Sequence, residues 1–315
     1  MKVIYGIGKV PKKIQNAVLA MGVFDGLHLG HQQLIRRAIK QAKAINGQTL
    51  VMTFHPHPVH VLRPDAALPL IVSLSHRLKL IEDMGVAKCI VINFTKQFAK
   101  LSPQKFIKRY FVDHICPKEI FVGEDFRFGK DRGGGLNCFK MIGQKYGFKV
   151  NDVKHVNLKE SRGKIGSTLI RQLIIDGKLK QAEKLLGRKI SVMGKVVKGD
   201  SRGKILGFPT ANILPENEVV LPLGVYAVKV LLKKKWYHGM ANVGQRPSFQ
   251  PSSNAVHTEV HIFDFNRNIY GQNIFMEFTK KIRSEKIFPT QESLISQLKR
   301  DEHKARSIFT LSRSS

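Results

Sequence analysis

Two histidines three residues apart, His28 and His31, close the run Gly22-Val-Phe-Asp-Gly-Leu-His-Leu-Gly-His31. An apolar stretch precedes this run and a helical pattern follows it. Glycines let a backbone pass close to a ligand, and an i,i+3 spacing puts both imidazoles on one face of a helix's first turn. A helix N-terminus attracts anions, so the residue types suit a phosphate chain framed by Gly22, Phe24, Asp25 and Gly26. A second polar set is Gly166-Ser-Thr-Leu-Ile-Arg171. Ser167 and Thr168 have the chemistry of helix N-caps, with Arg171 one turn further on. The set reads either as plain capping beside a surface arginine or as hydroxyls and a guanidinium gripping a triphosphate. His55-Pro-His-Pro-Val-His60 holds three histidines in six residues. With no carboxylate or thiolate nearby in sequence, it reads as a stiff loop lining a pocket rather than a metal site.

Further along, Gly207-Phe-Pro-Thr-Ala-Asn212 places a hydroxyl and an amide two residues apart, oxygen donors suited to Mg²⁺ and to phosphate oxygens. In Val256–Phe263, strand alternation puts His257, Glu259 and His261 on one face. Glu259 is either a general base for a hydroxyl or an exposed strand carboxylate. Rival phosphate signatures are missing: there is no G-x-x-x-x-G-K-[ST], and Gly6-x-Gly8-x-x-Pro11 fails as a dinucleotide fingerprint at its last position.

These groups need elements to position them. The first half alternates short apolar runs with helical patterns: strands over 17–24, 49–54, 89–94 and 119–122, helices over 29–45, 76–84 and 103–111. That alternation predicts an α/β domain with a parallel sheet of Rossmann-like type. Ligands of such sheets sit beyond the C-terminal strand ends, so the loops at 22–31, 54–59 and 122–132 are expected to converge. Residues 166–186 form the last helical stretch before the texture changes near residue 187. Runs over 190–198, 225–232, 236–243, 256–263 and 273–278 then predict a small antiparallel β-barrel. Pro289 and Thr290 introduce a closing helix with Leu294, Ile295, Leu298, Ala305 and Ile308 on one side. The expected division is 1–186 and 187–315.

The 315 residues carry 53 Lys plus Arg against 23 Asp plus Glu, a net charge of +30, so the partners are anionic: nucleic acid, an acidic surface or phosphorylated small molecules. The excess is spread evenly, with 32 basic and 13 acidic residues before position 187 and 21 and 10 after it. Lys233-Lys234-Lys235 reads as a solvated hairpin turn. With 43% apolar residues the chain buries enough surface to fold. Cys89, Cys116 and Cys138 form no C-x-x-C pair, which excludes a disulfide framework or zinc ribbon and fits the cytoplasm. The apolar stretch over 17–24 is too short to serve as an export or membrane segment. A nucleic-acid-binding protein is the alternative from charge alone, but zinc-finger, RRM and KH signatures are lacking.

His-x-Gly-His at a strand-to-helix junction resembles the signature of the nucleotidyltransferase superfamily that includes class I aminoacyl-tRNA synthetases. In order along the chain, Gly22–His31, Pro56-His57-Pro58, Val122–Gly129, Ser167-Thr168-x-x-Arg171, Gly199–Asn212, Gly224-Val-Tyr226, Gly239–Pro247, Glu259–Phe265, Ile269–Gly271 and Ile282–Phe288 resemble the bacterial bifunctional riboflavin kinase/FMN adenylyltransferase (FAD synthetase) family. The resemblance covers nearly the whole chain. It implies that a C-terminal riboflavin kinase barrel makes FMN from riboflavin and ATP. It further implies that the N-terminal domain makes FAD and diphosphate from FMN and a second ATP. Carried over residue by residue, Glu259 becomes the base for the ribityl 5′-hydroxyl, and Thr210 and Asn212 hold Mg²⁺ and ATP phosphates. His28, His31, Ser167, Thr168 and Arg171 become the groups that stabilise the α-phosphate and the leaving diphosphate. Pro56, His57, Pro58 and Asp125 become flavin contacts. The implied partners are small molecules, with no nucleic acid and no membrane. A chain retaining only one of the two activities is the other enzymatic reading. Departures from the family pattern are His55 where an acid is common, Gly166 for a serine, Gly135 for Asp or Asn, and Ser248 for a threonine.

Overall fold

In the computed structural model, which describes residues 1–11, 14–154, 156, 165–199, 202–216, 221–245 and 256–311, the chain packs as two compact units. One comprises Met1–Leu68 with Leu74–Leu169, and the other Pro69–Ser73 with Ile170–Ser315. Part of the sequence motif at Gly239–Pro247, and Ser248, lie outside the described residues.

The first unit is built on six parallel strands: β1 (Lys2–Tyr5), β2 (Ala17–Met21), β3 (Gln48–His55), β4 (Lys88–Asn93), β5 (Glu119–Gly123) and β6 (Lys149–Val153). Their order is β1-β4-β3-β2-β5-β6. The chain runs outward from β2 through β3 and β4, then returns to the other side of β2 with β5. A topological switch point therefore lies between β2 and β5, where α/β sheets bind ligands. Strand alternation divides the core between the two faces. Leu19, Met21, Leu50, Met52, Ile90 and Ile120 pack on one side with the phenylalanines at 106, 111, 128 and 139. Val18, Ala20, Val51, Cys89, Val91 and Phe121 pack on the other.

The connecting helices are α1 (Leu29–Ala44), α2 (Pro58–Leu62), α3 (Leu74–Asp83), α4 (Lys96–Ala99), α5 (Pro103–Ile107) and α6 (Leu136–Tyr146). α1 buries Leu34, Ile35, Ala38 and Ala42, the i, i+1, i+4, i+8 stripe of a helix lying on a sheet. α5 continues in wider π-type turns over Lys108–Ile115, which lets Tyr110, Phe111 and Ile115 all reach the core. The predicted strand over 17–24 stops at Met21, because Phe24 takes up a left-handed conformation (φ 56°) that no strand accommodates.

Helices α7 (Ser167–Ile175) and α8 (Leu179–Leu186) follow. The strands of the second unit are β7 (Ser191–Val197), β8 (Ala211–Pro215), β9 (Gly224–Leu232), β10 (Lys235–Gln245), β11 (Val256–Ile262) and β12 (Asn273–Arg283), with a short helix α9 (Arg202–Ile205) before β8. They close into an antiparallel barrel ordered β10-β11-β8-β7-β12-β9. Closure leaves no sheet edge to aggregate. Lys233 and Lys234, both at positive φ (47° and 68°), turn β9 into β10 as the sequence suggested. Terminal helix α10 (Gln291–Leu311) covers Phe208, Val225, Ala227, Met240 and Phe263 with Ala305, Phe309, Leu298 and Ile308.

Candidate active sites

The loop after β2 is shaped by its glycines and capped by its histidines. Gly26 has φ 78°, a left-handed value that favours glycine, inside the tight turn Asp25–Leu27. His28 is extended and forms the N-cap of α1, its Nδ1 accepting from the His31 backbone N–H at 3.4 Å. The two imidazoles stack with centroids 3.6 Å apart, and the Phe24 ring meets His31 edge-on at 5.3 Å. A Cβ on Gly30 would stand 3.2 Å from the His28 ring, so glycine there gives the stack its room. The first turn of α1 has no acidic side chain, so no carboxylate of that turn opposes the positive end of the helix. Asp25 and His28 are buried, at 2% and 6% exposure.

Ser167 comes to the same loop, its Oγ donating to the Asp25 carbonyl at 2.8 Å. Ser167 and Thr168 are the first two residues of α7, and the serine hydroxyl donates to the loop, a contact that the capping reading did not include. Thr168 is exposed. Arg171, four residues after Ser167 on α7, is buried and its Nε donates to the Pro69 carbonyl at 2.7 Å within the second unit.

β3 ends at His55, joined to Pro56 by a cis peptide bond. His57 caps α2, its Nδ1 accepting from Val59 N–H at 3.2 Å, with Pro58 at the first helical position. His60 Nε2 lies 2.7 Å from the Leu68 carbonyl. Asp125 is exposed in the turn after β5, beside Gly123. Because β3, β2 and β5 are adjacent and parallel, the loops carrying His57, His28 and Asp125 all leave the same edge of the sheet.

In the barrel, Glu259 on β11 faces Asn212 on β8 across one pairing and Asn242 on β10 across the other. Thr210 Oγ1 donates to Glu259 Oε2 at 3.4 Å. His261 Nδ1 lies 2.8 Å from the carbonyl of Pro209, which ties down the residue before that threonine. Gly199 runs so close to the Asn212 amide that any side chain there would collide with it. On β11, Thr258, Val260 and Ile262 are buried while His257, Glu259 and His261 are half-exposed, the alternation read from sequence. The set Thr210, Asn212 and Glu259 offers hydroxyl, amide and carboxylate oxygens, donors that fit a hard divalent cation.

The FAD synthetase family matches residues 10–169 and the riboflavin kinase family residues 186–309. The chain is 36% identical over 312 residues to the bifunctional riboflavin kinase/FMN adenylyltransferase of Buchnera aphidicola from Schizaphis graminum, covering 99% of this chain and 100% of that one. The protein of the same description from Escherichia coli K12 is 36% identical with 99% of each chain covered. That of Bacillus subtilis is 38% identical with 93% of each covered. This chain belongs to the bifunctional riboflavin kinase/FMN adenylyltransferase family. It is a transferase with both domains present: a riboflavin kinase and an FMN adenylyltransferase, with ATP, riboflavin and FMN as substrates. A crystal structure from Streptococcus pneumoniae, described as a macrolide-efflux protein, superposes with a TM-score of 0.82 at 33% identity over 97% of this chain and 99% of that one. Among the described residues no helix is long and apolar enough to cross a membrane.

Sequence reasoning passed over two residues of this flavin enzyme. Asn242 extends the row Asn212–Glu259 onto a third strand, and only strand register reveals it. Arg77 on α3 is entirely buried and bonds to the backbone of the loop after β2, at Val23, and of the end of β3, at Phe54. In the sequence it looks like any helix arginine.

Proposed function

We propose that the kinase step is carried by residues 187–315 with Glu259 as base. Glu259 takes the proton of the riboflavin 5′-hydroxyl as that oxygen attacks the γ-phosphorus of ATP, and ADP leaves. Thr210 and Asn212 hold Mg²⁺ and the phosphate oxygens, the ion supplying charge neutralisation. Phosphoryl transfer asks mostly for positioning and charge, which so small a set provides. The Thr210–Glu259 hydrogen bond, with Asn212 opposite in register, is the observation that supports this most directly.

Adenylylation is assigned to residues 1–186. The FMN phosphate, already ionised, attacks the α-phosphorus of the second ATP and diphosphate departs, so no general base is required. His28 and His31 at the N-terminus of α1, within the frame of Gly22, Phe24, Asp25 and Gly26, stabilise the charge that develops on the departing oxygens. Ser167, Thr168 and Arg171 assist, and Pro56, His57, Pro58 and Asp125 line the flavin's place. Stacking of the two histidines over a helix start free of acids supports the assignment. The enzyme works in the cytoplasm on small molecules and not on nucleic acid.

Product analysis with riboflavin and Mg-ATP tests both halves. Glu259→Gln is expected to lower FMN formation by about 10²–10⁴-fold while supplied FMN is still converted to FAD; full kinase activity would refute the base. The double variant His28→Ala, His31→Ala is expected to make FMN normally and to lose at least about 10²-fold in FAD formation. Wild-type FAD synthesis there would remove the phosphate-site assignment.

A further inference from the structure

Arg77 is the largest fully buried side chain of the chain's described residues, at 0% exposure, and it stands on α3 behind the ends of β2 and β3. Its Nη1 donates to the Val23 carbonyl at 2.8 Å, to Thr53 Oγ1 at 3.0 Å and to the Phe54 carbonyl at 3.2 Å. The Thr53 hydroxyl in turn donates to the same Val23 carbonyl at 2.9 Å. Val23 lies inside the Gly22–His31 loop, and Phe54 stands two residues before Pro56. One guanidinium thus ties the backbone of the loop assigned to ATP phosphates to the end of β3, one residue short of the cis His55–Pro56 bond that opens the segment assigned to flavin.

The cost of this arrangement argues that it is more than packing. Arg77 Nε and Nη2 are buried with no hydrogen-bond partner among the described residues. Burial lowers the guanidinium's pKa, and only the nearby Asp25 carboxylate and Cys89 oppose that shift. An apolar side chain of like volume would fill the space without desolvating a charge. What an apolar residue would not do is hold the Val23 carbonyl of the loop after β2 together with the Phe54 carbonyl at the end of β3, or set a positive charge behind the phosphate loop beside Asp25.

We propose that Arg77 is a positioning residue for FMN adenylylation, fixing the ATP loop and the flavin loop relative to one another through the carbonyls of Val23 and Phe54. The inference rests on the assignment of those two loops. Val23 precedes Phe24, whose left-handed backbone sets the course to His28 and His31. Release of Val23 therefore displaces the histidine pair, and release of Phe54 displaces the Pro56–Pro58 segment.

Steady-state kinetics of the full chain test this. Arg77→Met is expected to raise the KM for both ATP and FMN in FAD synthesis by at least about tenfold, with the KM values of the riboflavin kinase reaction unchanged in the same preparation. Arg77→Lys, which keeps the charge and one bond, should recover part of the loss. Thr53→Val removes the hydroxyl that serves Val23 and leaves the Phe54 contact; it should raise the KM for ATP and leave that for FMN within twofold. A lower kcat for Arg77→Met at unchanged KM for both substrates, tracking the folded fraction by circular dichroism, would reduce Arg77 to a structural role and overturn the proposal. Where Arg77→Met does not fold, Arg77→Lys decides alone, and unchanged KM values for both ATP and FMN in that variant overturn it. If instead the His28, His31 double variant keeps full FAD synthesis, the loop assignment itself fails, a result distinct from unaltered KM values at Arg77.

Discussion

Cys89 sits on β4 in the cluster that holds Val51, Ile81 and Val91, and burial pushes its thiol up to about 12. The thiolate is the reactive form, so the raised pKa leaves Cys89 protonated at pH 8, and the sulfur lies out of solvent. Cys116 is exposed and Cys138 half-exposed. Alkylation with iodoacetamide at pH 8, read by peptide mass spectrometry, should label Cys116 first, then Cys138, and Cys89 only once denaturant is added. Early labelling of Cys89 in the native protein would contradict its burial. The same distinction between local pattern and tertiary setting decides which of the proposed site residues the sequence displays. His28 and His31 are legible because their spacing, the glycines and the helix start are all within ten residues. Glu259 is legible from strand alternation, but its partner Asn212 is 47 positions away and only the β8–β11 pairing sets them opposite. Arg77 has no local mark. Its proposed role comes from β2 and β3 ending beside α3, which no window of sequence contains.

At the level of elements, apolar and alternating runs are legible, and short strands with neither pattern are not. β3, β4 and β9 appear in the sequence within a residue or two of their observed ends, since each is an apolar run wide enough to mark a buried strand. β1, β6 and β8 do not appear. Lys149-Val-Asn-Asp-Val153 is an edge strand with three polar residues of five, and Ala211–Pro215 ends on a proline; barrel and sheet pairing override weak local preference. α10 is marked by its Pro-Thr start and apolar side, yet it is also tied to the barrel by a largely buried polar pair. Asp301, with 0% side-chain exposure, accepts from Arg283 Nε on β12 at 2.8 Å, and the arginine is 14% exposed. Gln297 Nε2 donates to the carboxylate's other oxygen at 2.8 Å. Removing one partner of such a pair strands the other charge, a loss of about 3–5 kcal/mol. Asp301→Ala should therefore destabilise the second unit by that order in urea unfolding followed at Trp236, the chain's one tryptophan, which lies on β10. A loss below about 1 kcal/mol would place the pair among surface ion pairs.

Across the molecule, Glu259 and the pair His28, His31 belong to different compact units, and each unit has its own apolar core. FMN is the product of one reaction and the substrate of the other. With no covalent carrier in the chemistry, FMN made by one molecule should serve another. The net charge of +30 bears on that transfer. The proposed sites use few of the 53 basic residues, and the rest give the surface a field that raises the local concentration of anions such as ATP and FMN. Glu259→Gln alone should convert riboflavin and Mg-ATP to neither product, and His28→Ala, His31→Ala alone should stop at FMN. Mixed in equal amounts they should make FAD after a lag during which free FMN builds up. The lag should lengthen when salt is raised from about 20 mM to about 0.5 M, because the shorter Debye length confines the attraction to the immediate surface. If the mixture gives no FAD while each variant still performs its remaining step, FMN does not pass through solution and must be handed over within one chain. If FAD appears with a lag indifferent to salt, transfer is by diffusion alone and the charge excess serves neither step.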